Sequence, residues 1–170
     1  MKPGLTKRER EITDPVRIRQ ILDTAKILHL GLVDGEEPYV LPMNYGYTLE
    51  EGQLVLYLHS AVSGRKLDLI RANPRVHFSL ECDIAHFAGQ LPCQYGTAYQ
   101  SLSGRGIAQI LEDPQEKMDA MTVFMKTQTG KDFSFNERLV SIVSVIRIQV
   151  TSYSAKHRDI PERLAMEMQK

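Results

Sequence analysis

The chain has 170 residues, and its 21 Lys and Arg balance 21 Asp and Glu to a formal net charge of zero at pH 7. That length suits one domain able to bury a core without metal or disulfide, while the balanced charge excludes the whole-surface field of a general nucleic-acid or membrane binder, so any anion site must be local. Two cysteines, Cys82 and Cys93, are too few for a disulfide framework; with no leader-like opening and no apolar run near the ~20 residues of a membrane span, the expectation is a soluble cytoplasmic protein.

Residues 1–12, MKPGLTKREREI, are charged and unpatterned and read as an N-terminal arm. TDPVRIRQILDTAK opens on the capping residue Asp14 with Pro15 behind it, and Ile18, Ile21 and Leu22 recur at helical spacing, which predicts a short amphipathic helix. ILHLGLV, PYVLPMNYGYT and QLVLYLH follow, separated by the turn-rich DGEE and LEEG, as three strands of an antiparallel meander. SGRKLDLIRANP predicts a second helix capped by Ser63 and stopped by Asn73-Pro74.

RVHFSLEC and TAYQSLSGRGIAQIL alternate as strands, the latter with a bulge expected near Gly104 and Gly106. The connection between them, DIAHFAGQLPCQY, reads as irregular. DPQEKMDAMTVFMKTQTG predicts a third helix ending at Gly130, RLVSIVSVIRIQVTSY a strong strand from Arg138, and IPERLAMEMQK a tail helix. This order does not alternate as a doubly wound parallel sheet would. It predicts a mainly β domain with covering helices over residues 13–155, followed by a tail over 156–170, the six antiparallel strands closing or splitting into a barrel that hides its edges.

The stretch HSAVSGRK carries the chemistry. Ser60 and Ser63 offer hydroxyls, Gly64 lets backbone approach a ligand, and Arg65 and Lys66 open a helix whose free N–H groups favour an anion. An Arg gripping two oxygens beside a mobile Lys charge suits a terminal phosphate; the plain alternative is a capped surface helix with solvated cations. His29 and His77 lie within strands and read as structural or solvent-facing. Cys82, His86 and Cys93 form C-x3-H-x6-C, which lacks the paired close spacings of a zinc knuckle and a fourth ligand, so no metal site is expected. Nucleotide-hydrolase, esterase and metalloprotease motifs are absent.

PYVLPMNYGY, LVLYLHSAVSGRKLDLIRANPRVHFSLE and YQSLSGRGIA, in that order, resemble the flavin-nucleotide-binding split-barrel superfamily that includes pyridoxamine 5′-phosphate oxidase, and most of all its nitroimidazole-reductase branch. The resemblance covers roughly residues 8–155. It implies a six-stranded antiparallel split β-barrel of the FMN-binding type, and a homodimer holding FMN at the subunit interface. Arg65 and Lys66 match the cationic pair on the flavin phosphate, with Ser60 nearby, and His59 matches a histidine beside the isoalloxazine, the candidate catalytic residue. Val40, Leu41, Pro42, Met43 and Asn44 match the strand whose backbone meets the ring edge, with Tyr39, Met43, Tyr45 and Tyr57 as candidate walls. Tyr99 and Ser101 match polar contacts to the ribityl or phosphate. Near the C-terminus, SYSAKHRD departs from the pattern of the oxidase proper, leaving only Lys156 and Arg158 there, which disfavours pyridoxamine phosphate oxidation.

The function implied is a flavin-dependent oxidoreductase passing electrons from an external reductant to small electron-poor acceptors such as nitroaromatics. The rival expectations are a non-catalytic flavin storage or sensing protein, or a split barrel holding haem or a deazaflavin instead.

Overall fold

A computed structural model describes residues 8–161. The Asp-Pro helix starts form as the spacing predicts. α1 spans Pro15–Thr24, with Asp14 Oδ1 accepting from the Val16 N–H at 3.1 Å, and buries Ile18, Ile21 and Leu22 at their helical intervals. α3 spans Pro114–Thr129, capped by Asp113 and ended by Gly130 at φ 73°, a left-handed closure that glycine adopts without steric cost. α2 spans Arg65–Ala72.

The strands are β1 (Glu11–Ile12), β2 (Ile27–Asp34), β3 (Glu37–Asn44), β4 (Gly46–Glu50), β5 (Gln53–Ser60), β6 (Arg75–Phe87), β7 (Gly96–Leu111) and β8 (Ser144–Arg158). All pairings are antiparallel, in the order β3-β2-β6-β7-β8-β5-β4, with β1 against β8. Among the described residues the sheet therefore has eight strands where six were expected. Two local causes account for the difference. Ile12 is buried, which ties the end of the arm to Ala155 as a two-residue strand. The long PYVLPMNYGYT segment breaks at Tyr45, whose ring is fully buried and whose single hydroxyl proton is shared between the Leu22 and Ala25 carbonyls, 2.8 and 2.9 Å away. Turning that ring inward bends the chain, so β3 pairs with β2 and β4 with β5.

Three further expectations are corrected. β6 does not stop at Cys82 but continues to Phe87 past a bulge where the register slips between Cys82 and Ala85, with Asp83 at φ 53°, so the first half of the expected irregular connection is strand. The last strand begins at Ser144, because Asn136 caps a short helix, α4 (Glu137–Ser141), that places Val140 in a cluster with Phe124. Ser63 does not cap α2; Gly64 holds that position at φ 141°, backbone that an L side chain rarely adopts. The bulge expected near Gly104 and Gly106 forms as a register shift between Arg105 and Gly106. β8 runs three residues past 155, and most of the expected tail helix, residues 162–170, lies outside the described residues, as do residues 1–7 of the arm.

The main core fills the inside of the curved sheet with Leu28, Leu30, Leu54, Leu56, Leu58, Phe78, Leu80 and Leu102, under Leu67 and Ile70 of α2; full burial of each such side chain contributes roughly 1.5 to 3 kcal/mol before entropic costs. A smaller cluster lies on the opposite face of β5, beneath α3. Among the described residues, no helix is long and apolar enough to cross a membrane.

Candidate functional site

β4 pairs with β5 only as far as Gly46 opposite Tyr57, so Leu58, His59 and Ser60 have β8 on one side and no strand on the other. β3 ends the strand order on its own side. β3 and β5 approach one another without pairing. Between them runs a seam where the sheet is unpaired among the described residues, its two edges carrying backbone N–H and C=O groups at alternate residues, Pro42 offering only a carbonyl. β5 leaves this seam through Ala61–Gly64 and enters α2, so Arg65 and Lys66 stand at its end beside the first N–H groups of the helix.

Each sequence-predicted residue can be placed on this frame. Along β3, Leu41 and Met43 turn into the core with Tyr39, while Val40, Pro42 and Asn44 face outward, so Leu41 and Met43 offer a ligand their backbone rather than their side chains. Asn44 is committed elsewhere: its Nδ2 donates to the Lys26 carbonyl at 3.0 Å and lies 3.4 Å from Gln128 Oε1, fastening β3 to the end of α3. Of the candidate walls, Tyr45 is spent on the bend described above, Tyr57 packs toward α3 with the smaller cluster, and Tyr39 is partly exposed under the Arg65 guanidinium, whose Cζ lies 5.5 Å from the ring centre.

His59 is half-buried on the α3 side of β5, and Phe124 meets it edge-on with ring centres 4.6 Å apart. Its Nδ1 is buried without a hydrogen-bond partner among the described residues, and this desolvation lowers the imidazole pKa below its ordinary 6.5. Ser60 turns its hydroxyl onto the Ala61 carbonyl at 3.0 Å. Arg65 forms an ion pair with Asp34, at the end of β2. Among the described residues, no ion pair involves Lys66.

Tyr99 and Ser101 are not brought to this seam. They line a separate concavity of about 450 Å³ on β6 and β7, with Ser79, Glu81, Ile84 and Lys156, whose ammonium lies 5.9 Å from the Tyr99 ring centre. A larger outer hollow of about 680 Å³, floored by Gly31 and Gly106 and edged by Val33, Val40 and Ile107, adjoins it through Ser79. His29 and His77 lie on this outer face, His29 3.8 Å from Glu81. The C-x3-H-x6-C residues serve unrelated partners: Cys82 donates to Asp83, His86 bonds Thr97 at 3.0 Å, and Cys93 is exposed. Burial and the adjacent Asp83 carboxylate push the Cys82 thiol up to about 11, which keeps it protonated and unreactive.

Asp34, Phe124 and Gly46 were not read from the sequence as parts of the site. DGEE signals only a turn; nothing local says that its aspartate will meet an arginine 31 positions on. Gly46 looks like one more turn residue, yet a Cβ there would stand 2.3 Å from the Phe124 Cα. Its absence lets α3 lie directly on the strand beside His59.

A profile of the pyridoxamine 5′-phosphate oxidase family matches residues 14–157. A candidate 5-nitroimidazole antibiotic resistance protein from Bacteroides thetaiotaomicron is 30% identical, with 86% of each chain covered and a TM-score of 0.73. A flavocytochrome from Azotobacter vinelandii (17% identity, 95% of this chain and 76% of that one, TM-score 0.74) shares the fold. So does an FAD- and haem-binding protein from Mycobacterium smegmatis (14%, 94% and 79%, TM-score 0.75). No curated protein matches the chain.

Proposed function

Because the chain belongs to the pyridoxamine 5′-phosphate oxidase family, we propose that it binds FMN along the seam between β3 and β5 and uses it to reduce small electron-poor acceptors. The observation that carries this reading is the seam itself: unpaired backbone on both sides, ending at two adjacent cations and the N-terminus of an eight-residue helix. These are the donor types a flavin mononucleotide needs. Arg65, Lys66 and the first N–H groups of α2 suit a phosphate monoester, and the free edge of β3 from Val40 to Asn44 suits the pyrimidine edge of the ring.

A bound flavin supplies the electron transfer, and the protein supplies binding, orientation and electrostatics. His59 lies on the part of β5 that β4 leaves unpaired, beside the seam. An imidazole with a lowered pKa is neutral at pH 7, so it serves better to position an acceptor by a hydrogen bond than to deliver a proton from imidazolium.

In the reading as a split barrel, β3 and β4 form one long strand bent at Tyr45, β1 is an appendage, and six long strands remain. Tyr99 and Ser101, on β7 and separated from β3 by two intervening strands, favour a homodimer: a flavin touching both them and the Arg65 end is more readily shared between two copies than held by one. Two free cysteines suit a reducing cytoplasm. The test of turnover is the reoxidation of the anaerobically reduced, flavin-loaded protein by a nitroimidazole. Reoxidation faster than that of free FMN supports the enzyme; equal rates leave a flavin carrier or sensor.

A further inference from the structure

β2 ends on Asp34, whose buried Oδ2 faces the Arg65 guanidinium and has no other polar partner among the described residues. The pair joins the β2–β3 hairpin to the first residue of α2. Arg65 lies across the Tyr39 ring to reach it. Its cation is thus drawn toward the hairpin and its charge is met before any ligand arrives.

We propose that Asp34 is a built-in competitor for the anion site: its carboxylate occupies the guanidinium that a phosphate monoester would use, and the ligand's phosphate binds by displacing it. This inference rests on the flavin reading above and adds to it the residue that sets the strength of the phosphate contact. The Arg65 side chain is 66% exposed, so the ion pair stabilises the fold little and yields at small cost. A phosphate monoester carries up to two charges and three acceptor oxygens against one carboxylate, which favours the exchange. The displaced carboxylate, one-quarter exposed and anchored on β2, stays close to the incoming anion and repels it. Asp34 therefore cancels one of the two cations of the empty site, Lys66 keeping its charge, and leaves the cofactor exchangeable rather than maximising affinity.

The experiment is titration of the flavin-free protein with FMN and with riboflavin, for wild type, Asp34→Asn, Asp34→Ala and Asp34→Asn combined with Arg65→Ala. Either single substitution is expected to tighten FMN binding ~10-fold and leave riboflavin unchanged, and the Arg65→Ala combination to abolish the gain. FMN affinity unchanged or weakened in both single variants overturns the competitor role, as does a gain shared by riboflavin. Failure of the wild type itself to bind FMN overturns the flavin reading and this inference together, and is told apart from the first outcome by the wild-type titration alone.

Discussion

His59 and Phe124 meet edge to face at an interplanar angle of 81°, and it is α3, seated directly on Gly46, that brings the second ring to the first. A residue at the end of a strand, otherwise open to solvent, thereby acquires an apolar neighbour and a buried, unpartnered nitrogen.

That burial has a pH signature. Because the folded imidazole pKa is lowered below the ordinary 6.5, the unfolded chain binds more protons than the folded one between the two values, and stability rises with pH across that interval. His59 thus costs stability as pH falls through about 6.5 and none well above it. Thermal unfolding midpoints followed from about pH 7 to about pH 5 should drop further for the wild type than for His59→Gln. Equal drops contradict the desolvated histidine.

Gly46→Ala should displace α3. The added Cβ would meet the Phe124 backbone, Cα at 2.3 Å and N at 2.7 Å, and backbone cannot step aside as a flexible side chain can. A loss of about 3 kcal/mol in denaturant unfolding is expected, together with a less depressed His59 titration by NMR.

Tyr45→Phe removes the hydroxyl donor that serves the Leu22 and Ala25 carbonyls at the end of α1. Two buried acceptors lose their partner, so the expected cost is about 1 to 3 kcal/mol. Burial holds the phenol far above its usual range, so the cost should not vary with pH in the accessible range. A wild-type midpoint in urea would contradict the role given to Tyr45 at the bend.

The helices and most strands were legible because their signals are local: Asp-Pro starts, Gly130, and alternation through residues 75–82 and 97–111. Long-range matters were not. Tyr45 splits a strand because its hydroxyl finds carbonyls 20 and 23 residues earlier, and α4 displaces strand-like residues because Val140 finds Phe124. Within the site, Arg65, Lys66 and His59 stood out by chemical type, whereas Asn44 is a structural tie between β3 and α3. The ion pair that engages Arg65 depends on how β2 ends beside α2, which no local pattern encodes.

Arg65→Ala with Lys66→Ala should weaken FMN binding roughly 100-fold or more while sparing riboflavin, since charge-assisted hydrogen bonds to the phosphate are what the pair supplies. Unchanged FMN affinity in the double variant, measured by flavin fluorescence, refutes the clamp.

The most direct test of the flavin-binding reading is the absorption spectrum and mass of whatever chromophore the purified protein carries or takes up when offered FMN. A flavin spectrum with the mass of FMN, near one per chain, is the predicted result. A haem Soret band, or no flavin bound even after FMN is supplied, would contradict it.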